Sequence, residues 1–163
     1  MFNKIERGFT LIELLVVISI IGILVSLGFV GYPAVMRTAY KHKAKTTIQA
    51  LEMALSQYHS DFSDYPDDSS SKSVMNALTG FGEFEDKPDP KIRNNPDWNG
   101  PYFKAEKKQF KYGLLNEALL DPWQQEYKFN LSDPQHNFDG CDIWSPGPNK
   151  KDENGSGDDI RNW

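Results

Sequence analysis

The end of the chain is rich in side-chain oxygens, the ligand type that calcium prefers in proteins. Few apolar residues stand between Trp144 and Ile160, and glycines at 147, 155 and 157 leave backbone carbonyls accessible. The spacing does not follow the EF-hand pattern. Composition alone leaves two interpretations, a calcium-binding loop or a solvated acidic loop. The oxygen-bearing side chains are Asn149, Asp152, Glu153, Asn154, Asp158 and Asp159.

Glu13 is the single charged residue between Phe9 and Met36. Insertion of a carboxylate at a bilayer centre costs about 2.5–3.5 kcal/mol. If the chain is cut between Gly8 and Phe9, the new α-amino group becomes a cation at the end of the same segment. A neighbouring subunit shifted by about one helical turn could present this amine to Glu13 and fix the register. The alternative is an interfacial carboxylate without a special role.

No catalytic arrangement is recognisable in the sequence. His42, His59 and His136 have neither metal-site nor triad spacing, and there is no glycine-rich phosphate loop. Cys141 is the one cysteine, so an intramolecular disulfide is impossible. The net charge is −5 without a long basic run, which argues against a nucleic-acid partner. We therefore expect a protein that is not an enzyme.

The apolar segment from Leu14 to Met36 is long enough to cross a membrane, since about 20 helical residues suffice. Lys4 and Arg7 precede it, so the positive-inside rule places the N-terminus in the cytoplasm and the rest on the other side. The candidate cut after Gly8 lies before this segment. Cleavage there would leave the helix on the mature protein, unlike cleavage of an ordinary secretory signal.

An amphipathic pattern follows the apolar segment and predicts one long helix. Pro66 disfavours helical dihedrals at the preceding residue, so the helix is predicted to end near Tyr65. The apolar stripe consists of Tyr40, Ala44, Ile48, Leu51, Leu55, Tyr58 and Phe62.

The remaining pattern predicts a short helix at 73–79, an irregular excursion at 81–99 and three short strands. Strands that close on a long helix make a small α+β head. The predicted strands are 102–104, 126–131 and 141–144.

The sequence Arg-Gly-Phe-Thr-Leu-Ile-Glu at 7–13 resembles the class III signal of type IV pilins and pseudopilins. The resemblance implies that a membrane-embedded prepilin peptidase cuts after Gly8 and methylates Phe9. It also implies that Glu13 neutralises the N-terminus of a neighbour during assembly.

Two further segments, Gly-Pro-Tyr at 100–102 and Asp-Pro-Trp at 121–123, together with Tyr127, resemble the major pseudopilins of type II secretion. The implied fold is α+β and pilin-like, with a long N-terminal helix on a small antiparallel sheet. The implied organisation is a leader at 1–8, a transmembrane and filament-core helix at 9–36, and a periplasmic head at 37–163. Within the head we expect helix to about 65, a variable loop at 66–100, and strands with a calcium-type loop at 101–163.

The same resemblance implies one structural calcium in the last loop. Asn149 stands where an aspartate is usual, so Asp152 is a candidate replacement. The implied ligands are the carbonyls of Pro146 and Ser156, the side chain of Asn149, and the carboxylates of Asp158 and Asp159.

The function implied is that of a structural subunit. It would insert in the bacterial inner membrane as a single pass and then stack into a periplasmic pseudopilus that exports folded proteins across the outer membrane. Implied partners are further copies of the chain, the prepilin peptidase, minor pseudopilins and an inner-membrane assembly platform. The alternatives are a major or minor pilin serving adhesion, motility or DNA uptake, and a membrane-anchored periplasmic binding protein.

Overall fold

The computed structural model describes residues 9–81, 90–104, 106–111, 117–138 and 140–163, with the backbone alone at 27–33, 90, 91 and 107. The predicted leader, with Gly8, lies outside the described residues, as does the 82–89 part of the predicted excursion. The chain divides into two compact units, Met1–Thr38 and Ala39–Trp163.

Helix α1 spans Leu11–Phe62 and so contributes to both units. It ends three residues before the predicted Tyr65, because Ser63 adopts a left-handed φ of 55° while its N–H still donates to the His59 carbonyl at 2.8 Å. In the first unit every side chain from 11 to 26 is exposed. Among the described residues, no helix combines the length with the apolar character that a membrane crossing requires.

The core of the second unit forms between α1 and a short helix, α2, at Ser71–Thr79. The predicted helix at 73–79 is confirmed and begins two residues earlier, because the Ser70 side chain caps it by accepting from the Ser73 N–H. The middle of the predicted α1 stripe is buried, from Ala44 to Leu55, whereas Tyr58 and Phe62 are half-buried and Tyr40 is 37% exposed. Fully buried side chains at this contact are Ile48, Leu51, Leu55, Val74, Met75 and Leu78.

A three-stranded antiparallel sheet completes the head in the order β1-β2-β3. Strand β1 is Lys128–Asn130, β2 is Asp142–Ser145 and β3 is Ile160–Arg161. The strands predicted at 126–131 and 141–144 are therefore confirmed with altered limits. The two-residue strand β3 was not predicted.

The strand predicted at 102–104 is wrong. Tyr102 and Phe103 both donate their N–H groups to the carbonyl of Leu78, at 2.9 and 3.2 Å, instead of joining a ladder. Phe103 is buried against the core, so its aromatic character reflects packing and not strand pairing. Within the predicted excursion, residues Pro90–Arg93 form a short helix, α3.

Asp142, at the start of β2, is 2% exposed and organises the loop before it. Its Oδ2 accepts the N–H of Gln135 at 2.7 Å and of His136 at 3.1 Å, and its Oδ1 accepts that of Asn137 at 2.9 Å. Burial acts to raise the pKa of Asp142, but these hydrogen bonds, with one to the His136 ring, outweigh burial and lower the pKa.

We expect Asp142→Asn to lose about 1–3 kcal/mol of folding stability at neutral pH, since a charged acceptor of three N–H groups disappears. Because the pKa is lower in the folded chain, the carboxylate adds stability above the unfolded pKa of about 4. This contribution is lost as pH falls through the folded value. Denaturant unfolding against pH should show the two proteins converging in acid. The exposed Asp133→Asn is the control, and an equal loss there contradicts the interpretation.

Candidate metal centre and N-terminal assembly site

Thr10 and Glu13 form a reciprocal capping box at the start of α1. The Thr10 N–H and hydroxyl donate to Glu13 Oε2 at 2.9 and 2.7 Å, and the Glu13 N–H donates to the Thr10 hydroxyl at 3.3 Å. This arrangement satisfies backbone groups that a helix N-terminus otherwise leaves unpaired. Thr10 is therefore a site residue that the sequence prediction omitted. The Thr-x-x-Glu spacing was the signal that could have identified it.

The carboxylate of Glu13 is held beside the end of the described chain. Phe9 is 82% exposed and lines an open apolar groove with Ile12, Glu13, Val16 and Val17. The capping contacts use Oε2, and Oε1 makes no hydrogen bond within the described residues. The structure thus places Glu13 and Phe9 close to each other at the position where the sequence predicted an assembly site.

The acidic loop at 146–159 is closed at its base by β2 and β3, where Ser145 pairs with Ile160. The turn brings together the carboxylates of Glu153, Asp158 and Asp159, with one oxygen from each within 4.8 Å of the others. Three carboxylates at such distances repel one another strongly unless a cation lies between them.

Two oxygens in this cluster are buried and have no hydrogen-bond partner among the residues that the structure describes, Asp158 Oδ1 and Asp159 Oδ1. The second oxygen of each residue is engaged: Asp158 Oδ2 accepts the Asn149 N–H at 3.1 Å, and Asp159 Oδ2 accepts those of Glu153 and Gly155 at 3.1 and 2.9 Å. A buried unpaired carboxylate oxygen is costly. The donor set therefore fits a hard, oxygen-loving cation such as calcium.

The electrostatics of the cluster agree with this fit. Burial raises the pKa of Asp159, and the neighbouring negative charges of Asp152 and Glu153 raise it further, against the lowering effect of two backbone N–H groups. A cation at the cluster would favour the ionised carboxylate and reverse this tendency.

The structure places the predicted ligands differently from one another. Asp158 and Asp159 lie in the cluster. Asp152 is not part of it, and its Oδ1 instead accepts hydrogen bonds from Trp144 Nε1 at 2.8 Å and from the Asn154 N–H at 3.1 Å. Glu153, an oxygen donor in the sequence that was not in the predicted ligand set, takes the third position.

The remaining predicted ligands border the cluster. The amide oxygen of Asn149 accepts the Lys151 N–H at 2.6 Å, and its NH2 group donates to Glu153 Oε2 at 3.2 Å. The carbonyl of Ser156 accepts the Asp159 N–H at 3.0 Å. Pro146 is buried at the entrance of the loop.

The end of the chain covers the loop. The Arg161 guanidinium donates to the carbonyl of Gly155, and the Trp163 indole lies so close that an added Cβ at Gly155 would be 2.1 Å from it. The Trp163 indole also stacks on His136, with ring centroids 4.2 Å apart. Asn162 joins this segment to α1 through a 3.0 Å hydrogen bond to Glu52. We call residues 161–163 the C-terminal clasp.

A family model described as type II secretion system (T2SS), protein G, matches residues 33–163. The chain belongs to the type II secretion system protein G family. A second model, the prokaryotic N-terminal methylation motif, matches residues 3–29 of this protein G family member.

Curated relatives extend the similarity over nearly the whole protein G chain. The type II secretion system core protein G of Klebsiella pneumoniae is 34% identical over 158 residues, covering 97% of this chain and 94% of the relative. The core protein G of Escherichia coli K12 is 33% identical over 158 residues, covering 97% and 91%. That of Vibrio cholerae is 31% identical over 159 residues, covering 97% and 92%.

The fold agrees with that of a solved relative. The crystal structure of the major pseudopilin from the type 2 secretion system of enterohaemorrhagic Escherichia coli superposes with a TM-score of 0.51 at 24% identity, covering 80% of this chain and 87% of that one. The predicted α+β pilin-like fold is confirmed. The predicted family is confirmed as well, since the chain belongs to the type II secretion system protein G family.

We expect Gly157→Ala to distort the acidic loop. Gly157 has a φ of 59°, and an added Cβ would lie 1.9 Å from Glu153 Oε2, so the substitution should cost about 1–3 kcal/mol and displace Glu153. Thermal unfolding and limited proteolysis of the full chain measure this. Gly140→Ala is the matched control, since its nearest contact would be an ordinary 3.9 Å. Equal behaviour of the two variants contradicts the described loop.

Proposed function

We propose that the chain polymerises through α1 into a periplasmic pseudopilus, and that growth of this fibre drives the export of folded proteins across the outer membrane. The single observation that carries the proposal is the exposed apolar surface of residues 11–26. A subunit with this surface, a methylation-motif N-terminus and the protein G family head has the parts that a helical polymer needs.

The exposed surface is too large to face water. Leu11 is 84% exposed, Ile12 71% and Leu24 63%, and further valine, leucine and isoleucine side chains between them are about half exposed. Apolar burial yields roughly 25 cal/mol per Å², and contiguous apolar patches of this kind mark interaction surfaces. Lipid would cover the surface before assembly, and other copies of the helix would cover it in the fibre.

The polar groups at the N-terminus would determine the register of that packing. After removal of the leader, the α-amino group of Phe9 would lie at the end of the apolar segment, close to Glu13. Pairing of this amine with Glu13 of a neighbour would satisfy two charges at once in a low-dielectric environment. Thr10 would keep the carboxylate oriented until the neighbour arrives, because it already binds Oε2.

The proposed cellular context is the one that the family resemblance implies. The subunit would enter the inner membrane once with its N-terminus in the cytoplasm, be cut after Gly8 and methylated at Phe9 by a prepilin peptidase, and leave the membrane as it joins the fibre. Minor pseudopilins and an inner-membrane platform would be its assembly partners. The subunit itself would perform no chemistry.

We further propose that the acidic loop holds one structural calcium ion. The carboxylates of Glu153, Asp158 and Asp159 would bind it, and the carbonyls of Pro146 and Ser156 and the side chain of Asn149 lie at the border of the same loop. The two unpaired buried oxygens support this proposal. The ion would neutralise the carboxylates and hold the loop against the clasp, so that the head keeps one shape for packing.

We expect Glu13→Ala to abolish fibre formation while leaving cleavage after Gly8 intact, because the substitution removes the intersubunit charge and not the peptidase sequence. Electron microscopy of sheared fibres and the mobility of the processed chain measure the two effects. Ser19→Ala is the control on the same helix, since the Ser19 hydroxyl is satisfied by its own helix at Leu15. Normal fibres from Glu13→Ala would contradict the register argument.

We expect chelation of calcium to lower the melting temperature of the full chain in detergent micelles, because a ligand bound only to the folded state stabilises it. Glu153→Gln and Asp159→Asn should each raise the Kd for calcium by about tenfold or more, which corresponds to a loss of at least about 1.4 kcal/mol of binding free energy. Asp152→Asn should have a smaller effect, because the Asp152 carboxylate is hydrogen-bonded to Trp144 and acts on the cluster only through its charge. Calorimetric titration with calcium measures the affinity of each variant and of the parent chain. An unchanged melting curve rules out the metal, and a larger loss at Asp152 contradicts the ligand assignment.

A further inference from the structure

Asparagine precedes glycine at two places in this chain, Asn99–Gly100 and Asn154–Gly155. Glycine has no Cβ, so its backbone nitrogen can approach the side-chain carbonyl of the preceding asparagine more easily than that of any other residue. Both Asn-Gly pairs therefore contain the two groups that react in the deamidation of asparagine. The structure treats the two sites differently.

The reaction needs no partner other than water. The glycine nitrogen attacks the asparagine Cγ, the new C–N bond closes a five-membered succinimide, and the side-chain nitrogen leaves as ammonia with the proton of the glycine N–H. Water then opens the ring at one of its two carbonyls and gives either aspartate or isoaspartate. The net change is one amide and one water converted to one carboxylic acid and one ammonia.

At Asn154–Gly155 the attacking nitrogen is held in place. The Gly155 N–H donates to Asp159 Oδ2 at 2.9 Å, and the Gly155 carbonyl accepts from Arg161. The Trp163 indole lies directly against Gly155, which is buried. The nitrogen is therefore neither free to lose its proton nor able to rotate toward Cγ of Asn154.

The other reactant is exposed. Asn154 lies at the surface, and no hydrogen bond of its side-chain amide occurs within the described residues, although its backbone N–H donates to Asp152. Asn99 is exposed as well. At that site the Trp98 indole lies close to Gly100, but the described part of the chain offers the Gly100 N–H no hydrogen-bond partner that corresponds to Asp159.

We infer that Asn154–Gly155 is a latent deamidation site that the closed acidic loop and the C-terminal clasp protect, and that opening of this loop exposes it to modification. The part of the inference that links opening to loss of calcium rests on the proposed metal site. The part that concerns the clasp rests on the contacts of Gly155 alone.

The products would prevent the loop from closing as before. Aspartate at 154 adds a negative charge beside Asp152 and Glu153, in a loop that already holds a carboxylate cluster. Isoaspartate inserts one extra carbon into the backbone before Gly155, so the N–H and carbonyl of Gly155 can no longer meet Asp159 and Arg161 together. A subunit whose loop has opened for long enough becomes marked by a change that does not reverse.

The test is a time course of the full chain in detergent micelles at mildly alkaline pH, with peptide mapping by mass spectrometry to resolve asparagine, aspartate and isoaspartate at 99 and 154. The chain is incubated with calcium and with chelator. Asn99 is the internal reference. Trp163→Ala and Arg161→Gln open the clasp in two independent ways, and Trp163→Phe keeps an aromatic ring over Gly155.

With calcium, we expect Asn154 to react more slowly than Asn99. Chelation and each clasp variant should raise the Asn154 rate by about tenfold or more, because local opening limits the reaction. The Asn99 rate should stay unchanged, and Trp163→Phe should stay close to the parent chain. Acceleration by the clasp variants without an effect of chelation upholds the protected site and counts against the metal. An Asn154 rate that is the same in every sample, or that equals the rate in denaturant, overturns the inference.

Discussion

The head of this protein G family member depends on one constraint, which is that three carboxylates in the last loop must lie within a few ångströms of one another. Glu153, Asp158 and Asp159 repel each other, and two of their oxygens are buried without partners in the described part of the chain. Such a cluster is stable only if the surrounding backbone holds it or a cation neutralises it. The structure shows that the backbone holds the cluster, since the N–H groups of Glu153 and Gly155 both donate to Asp159 Oδ2.

The rest of the second unit can be understood as the frame of this loop. Strands β2 and β3 join its two ends, and Asn162 fastens the second end to Glu52 on α1 and to the carbonyl of Cys141. Because Asn162 is hydrogen-bonded to Glu52 on α1, a displacement of the loop end would be transmitted to the helix that provides the core stripe. A rigid head is what a polymer of identical subunits requires, because each contact is repeated along the fibre.

At the N-terminal site, too, backbone and side-chain hydrogen bonds hold a carboxylate in place. Thr10 caps α1 with the same carboxylate that a neighbouring subunit is proposed to use, so Glu13 serves the helix before it serves the assembly. A capped carboxylate is less costly to keep in an apolar environment than a free one, since its charge is shared with hydrogen-bond donors. The residue that makes this possible, Thr10, stands within the segment matched by the N-terminal methylation motif.

The sequence by itself determined the features that depend on short-range patterns. The motif at 7–13, the long helix with its apolar stripe and the acidic composition of the last loop all follow from neighbouring residues or from helical periodicity. Tertiary structure decided the rest. Strand β3 is too short to carry a pattern and exists because Ser145 pairs with Ile160. Tyr102 and Phe103, by contrast, hydrogen-bond to Leu78 of α2 instead of forming a strand. Tertiary structure also decided which acidic side chains form the cluster, because the sequence of a loop without periodicity does not fix the directions of adjacent side chains. Asp152 accepts a hydrogen bond from Trp144, whereas Glu153 lies with Asp158 and Asp159.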